Sequence, residues 1–145
     1  MNGPLLIQWT HENNLGIPII DDQHRGIVSV INSLGLFIRH HKNDFVLATA
    51  ANMMDSYTRL HFATEEELLV TAGYSRLNEH KQLHADLIRE SFSLANESMR
   101  LKEPTLYLRF LKEWWMNHIN MCDRSYADEV KAYLAIQPPE QAFVL

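Results

Sequence analysis

Four stretches of this chain repeat apolar residues at the period of an α-helix, and each carries histidine inside its apolar stripe. In the first, Ile20, His24, Ile27, Ile31, Leu34 and Ile38 recur at alternating steps of four and three. The second runs Val46, Ala50, Met53, Tyr57, His61, Thr64 and Leu68, the third Leu77, His80, His84, Leu87 and Leu94, and the fourth Tyr107, Leu111, Trp115, His118 and Cys122. Such stripes bury against one another, and short connections between them make neighbouring helices antiparallel. The expectation is an all-α fold, an up-down-up-down antiparallel four-helix bundle spanning about residues 18–135.

The junctions support that division. His40, His41, Lys42 and Asn43 close the first helix, and Asp44 is placed to cap the second. Gly73 suits a left-handed helix terminator, Ser75 a cap for the third helix, and Pro104 the first turn of the fourth, which should run to about Ala135. Residues 1–17 mix Gly3, Pro4, Asn13, Asn14 and Gly16 with apolar positions and read as an extended N-terminal arm laid along the bundle; residues 136–145 read as a tail. With 145 residues and neither repeat nor linker, residues 1–145 are expected to form one domain.

Composition narrows the function classes. A formal charge of −5 and no Lys/Arg stripe argue against a nucleic-acid partner. No run reaches the ~20 apolar residues of a membrane span, and the first residues lack the charge and apolar stretch of a signal peptide. Cys122 is the only cysteine, which precludes an intrachain disulfide, so the expected location is cytoplasmic, with no membrane partner.

The histidines meet at one height. In antiparallel helices, residues equally far from the joining turn share a layer: His24 lies 18 positions before a first turn near residue 42 and His61 lies 19 after it, roughly 27–29 Å of helical rise in each case. Across Gly73, His61 and Glu65 lie 12 and 8 before, and His80 and His84 lie 7 and 11 after. Across the turn near Glu103, His80 and His84 lie 23 and 19 before, and His118 and Asp123 lie 15 and 20 after. His61/Glu65 and His80/His84 are each four apart on one face. His118 and Asp123 are five apart, about 140° around a regular helix, and reach the same site only with a long reach or a local distortion such as a π-bulge.

One buried histidine needs only a hydrogen bond. Five imidazoles and two carboxylates in an apolar layer carry a heavy desolvation cost unless each lone pair has a partner, and metal supplies one. Imidazole and carboxylate without thiolate suit iron, zinc, copper or manganese, and seven donors are too many for one ion. Two ions fit, with Glu65 and Asp123 as shared ligands and the histidines divided three and two, which leaves one ion open to a small molecule. His11, His40 and His41 lie outside the layer, and Glu66 and Glu67 read as a solvated face. Of Trp114 and Trp115, only one indole is expected fully inward, the other packing on the arm or a partner. Cys122 reads as a small core side chain without a role.

Trp9, the segment Ile20-Asp21-Asp22-Gln23-His24, His61-x-x-x-Glu65, His80-x-x-x-His84 and His118-Ile119-x-x-x-Asp123 with Tyr126 together resemble the hemerythrin family in its bacterial single-domain form, over nearly the whole chain. The resemblance implies two iron ions bridged by Glu65, Asp123 and an oxo or hydroxo group. It assigns His80, His84 and His118 to one iron, and His24 and His61 to the other, whose vacant position takes dioxygen. Candidates for the pocket wall are Ile20, Ile27, Trp115, Ile119 and Met121, the last standing where many family members carry leucine. The implied function is reversible oxygen binding for storage or delivery. A sensor of oxygen, nitric oxide or redox state acting through a separate partner is the alternative. A di-iron oxidase or peroxidase is disfavoured, since no Glu-x-x-His occurs in the chain.

Overall fold

The computed structural model describes residues 6–40 and 43–137, without the side chains of residues 43–45. The described residues form helices and no strand: α1 (Pro18–Arg39), α2 (Asn43–Ala72), α3 (Leu77–Leu101), α4 (Pro104–Trp114), a π-helical segment (Trp115–Cys122) and α5 (Arg124–Ala135). Trp114, Trp115 and Asp123 all keep right-handed helical angles, so α4, the π segment and α5 run on as one fourth helix. α1 packs on α2, α2 on α3, α3 on α4, and α4 back on α1, closing the expected four-helix bundle.

Local chemistry sets the ends. Pro18 and Pro104 open α1 and the fourth helix at their first turns, where a missing N–H costs nothing. α2 ends as expected on Gly73 at φ +69°, with Gly73 N–H donating to Val70 C=O (3.1 Å) and Tyr74 N–H to Leu69 C=O (2.9 Å), the paired bonds of a Schellman stop. Nothing lies within 4 Å of a Cβ built at Gly73, so the cost of Gly73→Ala is the left-handed backbone alone. That variant should lose about 1–2 kcal/mol, read as a melting temperature lower by about 3–8 °C.

Ser75 does not cap α3. The residue before α3 is Arg76, without a side-chain cap, and the Ser75 hydroxyl instead donates to Glu129 Oε1 (3.3 Å), tying the α2–α3 turn to α5. The Asp44 side chain, His41 and residues 138–145 of the tail lie outside the described residues.

Two apolar clusters fill the bundle. The larger takes in Ile7, Ile27, Ile31, Leu34, Met54, Phe62, Tyr107, Leu111, Trp114, Trp115 and Ile119; the smaller takes in Leu15, Ile17, Ile20, Leu68, Leu69, Tyr74, Tyr126 and Val130. Each fully buried side chain of this kind contributes roughly 1.5–3 kcal/mol. On α2 the stripe is one residue out from expectation at one point: Met54 is buried and Met53 is 52% exposed, because the inward face follows Met54, Thr58, Phe62, Glu65 and Leu69 beside Ala50 and His61. Both Trp114 and Trp115 are buried, one turned into the bundle and the other packed on the arm, the first of the two placements expected for the second indole. Trp114 faces Phe62 and His118, while Trp115 turns to the other side and is covered by Trp9 of the arm, ring centroids 5.6 Å apart.

The arm is pinned by polar bonds as well as packing. Asn32 bonds both backbone groups of Ile7 (2.9 and 2.8 Å), and buried Asp21 accepts from Leu15 N–H (2.7 Å) and Gly16 N–H (3.1 Å). Among its described residues sits a 3₁₀ turn, His11–Asn13, and Arg25 lies over the Trp9 ring at 5.0 Å. No described helix is long and apolar enough to cross a membrane.

Candidate metal centre

Between the two apolar clusters lies the polar layer. His24 sits between Ile20 and Ile27 on α1, His61 and Glu65 on α2, His80 and His84 on α3, and His118 and Asp123 at the π segment and its end; all seven are buried. They form two overlapping groups of donor atoms, Glu65, His80, His84, His118 and Asp123 in one, His24, His61, Glu65 and Asp123 in the other, each within 4.8 Å. Asp123 Oδ2 lies 3.1 Å from His24 Nε2 and 4.0 Å from His61 Nε2, and Oδ1 lies 3.2 Å from His118 Nε2 and 3.7 Å from His80 Nε2. Glu65 Oε2 lies 3.3 Å from His61 Nε2, while Oε1 faces His84 Nε2 at 3.3 Å and contacts His80. Each carboxylate thus turns one oxygen to each group.

The π segment makes this possible. Asp123 N–H donates to His118 C=O, five residues back (3.0 Å), and the widened turn brings His118 and Asp123 to the same side. The same turn sends Met121 outward. At 65% exposure it is no wall of the site, which corrects the expectation drawn from its position three residues after His118. Ile20, Ile27, Trp115 and Ile119 are buried, and the Trp115 ring meets His24 edge-on at 6.3 Å.

The donor atoms satisfy one another only in part, through His24 with Asp123 and His80 with Glu65. His61 Nε2, His84 Nε2, His118 Nε2, Glu65 Oε2 and Asp123 Oδ1 are buried without a hydrogen-bond partner, a concentration of orphaned polar atoms that cations of suitable size would resolve. Electrostatics points the same way. Burial, reinforced by neighbouring His61, pushes His24 down to about 3; burial also takes His61 to about 4 and His118 to about 3, with Glu65 opposing and nearby histidines adding to the fall. These imidazoles are neutral at pH 7, with lone pairs available as ligands need. Burial raises the Glu65 carboxyl, yet contacts with His80 and His84 outweigh it and hold the group well below its usual range. Burial and the Glu65 charge push Asp123 well above its own. Two carboxyl groups that cannot comfortably both ionise are what a shared cation stabilises.

Behind the donors stand partners that sequence reasoning missed. His61 Nδ1–H donates to Gln23 Oε1 (3.0 Å), Gln23 Nε2–H to Thr64 Oγ1 (3.1 Å), and the Thr64 hydroxyl to Leu60 C=O (2.9 Å), which turns the Nε2 lone pair of His61 into the site. His84 Nδ1–H donates to Glu66 Oε1 (2.8 Å), so Glu66 is not merely part of a solvated face. The Phe62 ring stacks on His84, 3.6 Å between centroids and 3° from parallel. The signals available were Gln23 beside His24, and Glu66 one residue after Glu65. His11 and His40 are exposed, as expected. Cys122 is half-buried, and burial raises its thiol.

Comparison with known proteins agrees with this geometry. Residues 15–130 match the family model of the hemerythrin HHE cation binding domain. A bacteriohemerythrin of Stenotrophomonas maltophilia is 35% identical over 130 residues, covering 89% of this chain and 84% of that protein. One from Clostridium acetobutylicum is 31% identical, covering 83% and 98%. A crystal structure of a hemerythrin mutant superposes with a TM-score of 0.76 at 24% identity, covering 88% of this chain and 98% of that one, which supports the fold. On the matched helices and on a His/Glu/Asp cluster able to hold metal, this chain belongs to the hemerythrin family.

Proposed function

We propose that the chain binds dioxygen reversibly at a non-heme di-iron centre, as a cytoplasmic storage or delivery protein rather than an enzyme. The observation that carries this reading is the inequality of the two donor groups: five donors on one side, four on the other, with Glu65 and Asp123 common to both. In this reading His80, His84 and His118 hold one iron, His24 and His61 the other, and the four-donor side keeps a position for the ligand. Ferrous iron would supply the electrons by which dioxygen is held and given back. The chain's own part is to span the pair with two carboxylates, to fix the imidazoles through Gln23 and Glu66, and to exclude water with Ile20, Ile27, Trp115 and Ile119.

The test is anaerobic reduction followed by exposure to air, with iron content and visible spectrum recorded for the parent and for His61→Ala. The parent should hold two irons per chain and gain an absorption band in air that disappears when oxygen is removed; His61→Ala should lose the band. Immediate, irreversible oxidation would defeat reversible carriage. A second reading, a sensor, is favoured by the arm: Trp9 rests on Trp115, whose ring meets His24, so a change at that histidine has a contact route to the surface.

A further inference from the structure

The outer partners of the two donor groups differ in charge. His61 is oriented by a neutral relay, Gln23 to Thr64 to the Leu60 carbonyl, whereas His84 is oriented by a carboxylate, Glu66. Glu66 is 28% exposed and His84 2%, so the pair joins a buried ligand to a charge at the edge of the bundle. The Phe62 stack fixes the plane of the His84 ring, and the bond to Glu66 fixes its rotation within that plane. A carboxylate accepting the Nδ1 proton raises the basicity of Nε2 more than an amide does, since the imidazole can share positive charge with a formal anion. No comparable partner meets His118, whose Nδ1 is buried without a hydrogen bond.

We propose that Glu66 is a positioning residue that makes the three-histidine group the tighter of two unequal metal subsites, which fills first and holds the more electron-rich ion. The inference rests on the two-metal reading of the site. It separates orientation from charge: Glu66→Gln keeps an acceptor at the same reach and removes the charge, whereas Glu66→Ala removes both.

The measurement is a titration of the metal-free full chain with Co²⁺, followed by its visible spectrum and by calorimetry, for the parent, Glu66→Gln, Glu66→Ala and Gln23→Leu. The parent should take two ions in two resolved steps. Glu66→Gln should weaken the tighter step about tenfold and Glu66→Ala by about 10–100-fold, leaving the weaker step unchanged, while Gln23→Leu should weaken only the second. In the iron-loaded protein, Glu66→Gln should also raise the midpoint potential, because removing a negative charge disfavours the ferric state. A tighter step unchanged in Glu66→Gln, or both steps weakened alike, overturns the assignment of Glu66 while leaving two-metal binding intact. A parent that fails to take two ions overturns both.

Discussion

Replacing Asp123 by asparagine should abolish tight binding of both metal ions, whereas His61→Ala should remove one. Asp123 is the only residue besides Glu65 that belongs to both donor groups, with Oδ2 toward His24 and His61 and Oδ1 toward His118 and His80. An amide of the same shape replaces one of those oxygens by an N–H donor that points hydrogen at lone pairs or at a cation. It also removes one of two negative charges available to offset two dications. Loss of an outer-shell partner alone costs about 10–100-fold in affinity, so losing a shared ligand should cost more than that on both sides. The near-isosteric change leaves the helix and its core contacts in place, and circular dichroism should be unaltered. Metal content after dialysis against a mild chelator reads the result; an asparagine variant that retains two ions as firmly as the parent would refute the bridging role.

The second large effect is on stability without metal. His24, His61 and His118 titrate in the folded metal-free chain at about 3, 4 and 3, all below the ordinary histidine value. Between pH 6.5 and about 4 the unfolded chain therefore binds up to three protons that the folded chain refuses, and stability falls as pH falls. Asp123 acts in the opposite sense, since its raised value lets the folded chain keep a proton that the unfolded chain releases. Near pH 5, where the unfolded histidines are protonated, three against one leaves a net uptake of about two protons on unfolding, or roughly 3 kcal/mol per pH unit; toward pH 4 Glu65, held below its usual range, adds to the histidines. A domain of ordinary stability, about 5–15 kcal/mol, would be largely spent within a few units. The loaded protein should resist until protons displace metal from Nε2. Denaturant melts at pH 7, 6 and 5, with and without metal, give the comparison, and a metal-free midpoint that stayed flat across that range would contradict the proton count.

The helices and the buried histidine and carboxylate layer were legible because both obey simple periodicity. His61 and Glu65, and His80 and His84, share faces by their spacing of four, and equal distance from the turns brought His24 and His118 to the same height. The five-residue interval from His118 to Asp123 even pointed to a local distortion, which the π segment supplies. Less legible were features that depend on what lies opposite. Met53 and Met54 both fit a helical stripe, and only the packing against the larger cluster decides for Met54. That one indole of the Trp114–Trp115 pair packs on the arm was legible, but that it is Trp115 and that Trp9 covers it, across more than a hundred residues, no local pattern encodes. Glu66 looked like one of three consecutive glutamates, and its bond to His84 exists only once α3 has folded back on α2.

The widened turn in the fourth helix has a further consequence for how such chains change over time. Tyr107, Leu111 and Trp114 before it, and Tyr126 and Val130 after it, all face inward, so one surplus residue is absorbed there without throwing either flank out of phase. Deleting a residue between His118 and Asp123 would return the segment to a regular α-helix with the same core faces. The apolar core places no demand on that surplus residue; the approach of His118 and Asp123 to one centre does. Lineages that no longer used the centre would be free to shed the residue, so the length of this interval, a count recoverable from sequence alone, should mark which descendants of the fold still keep the site.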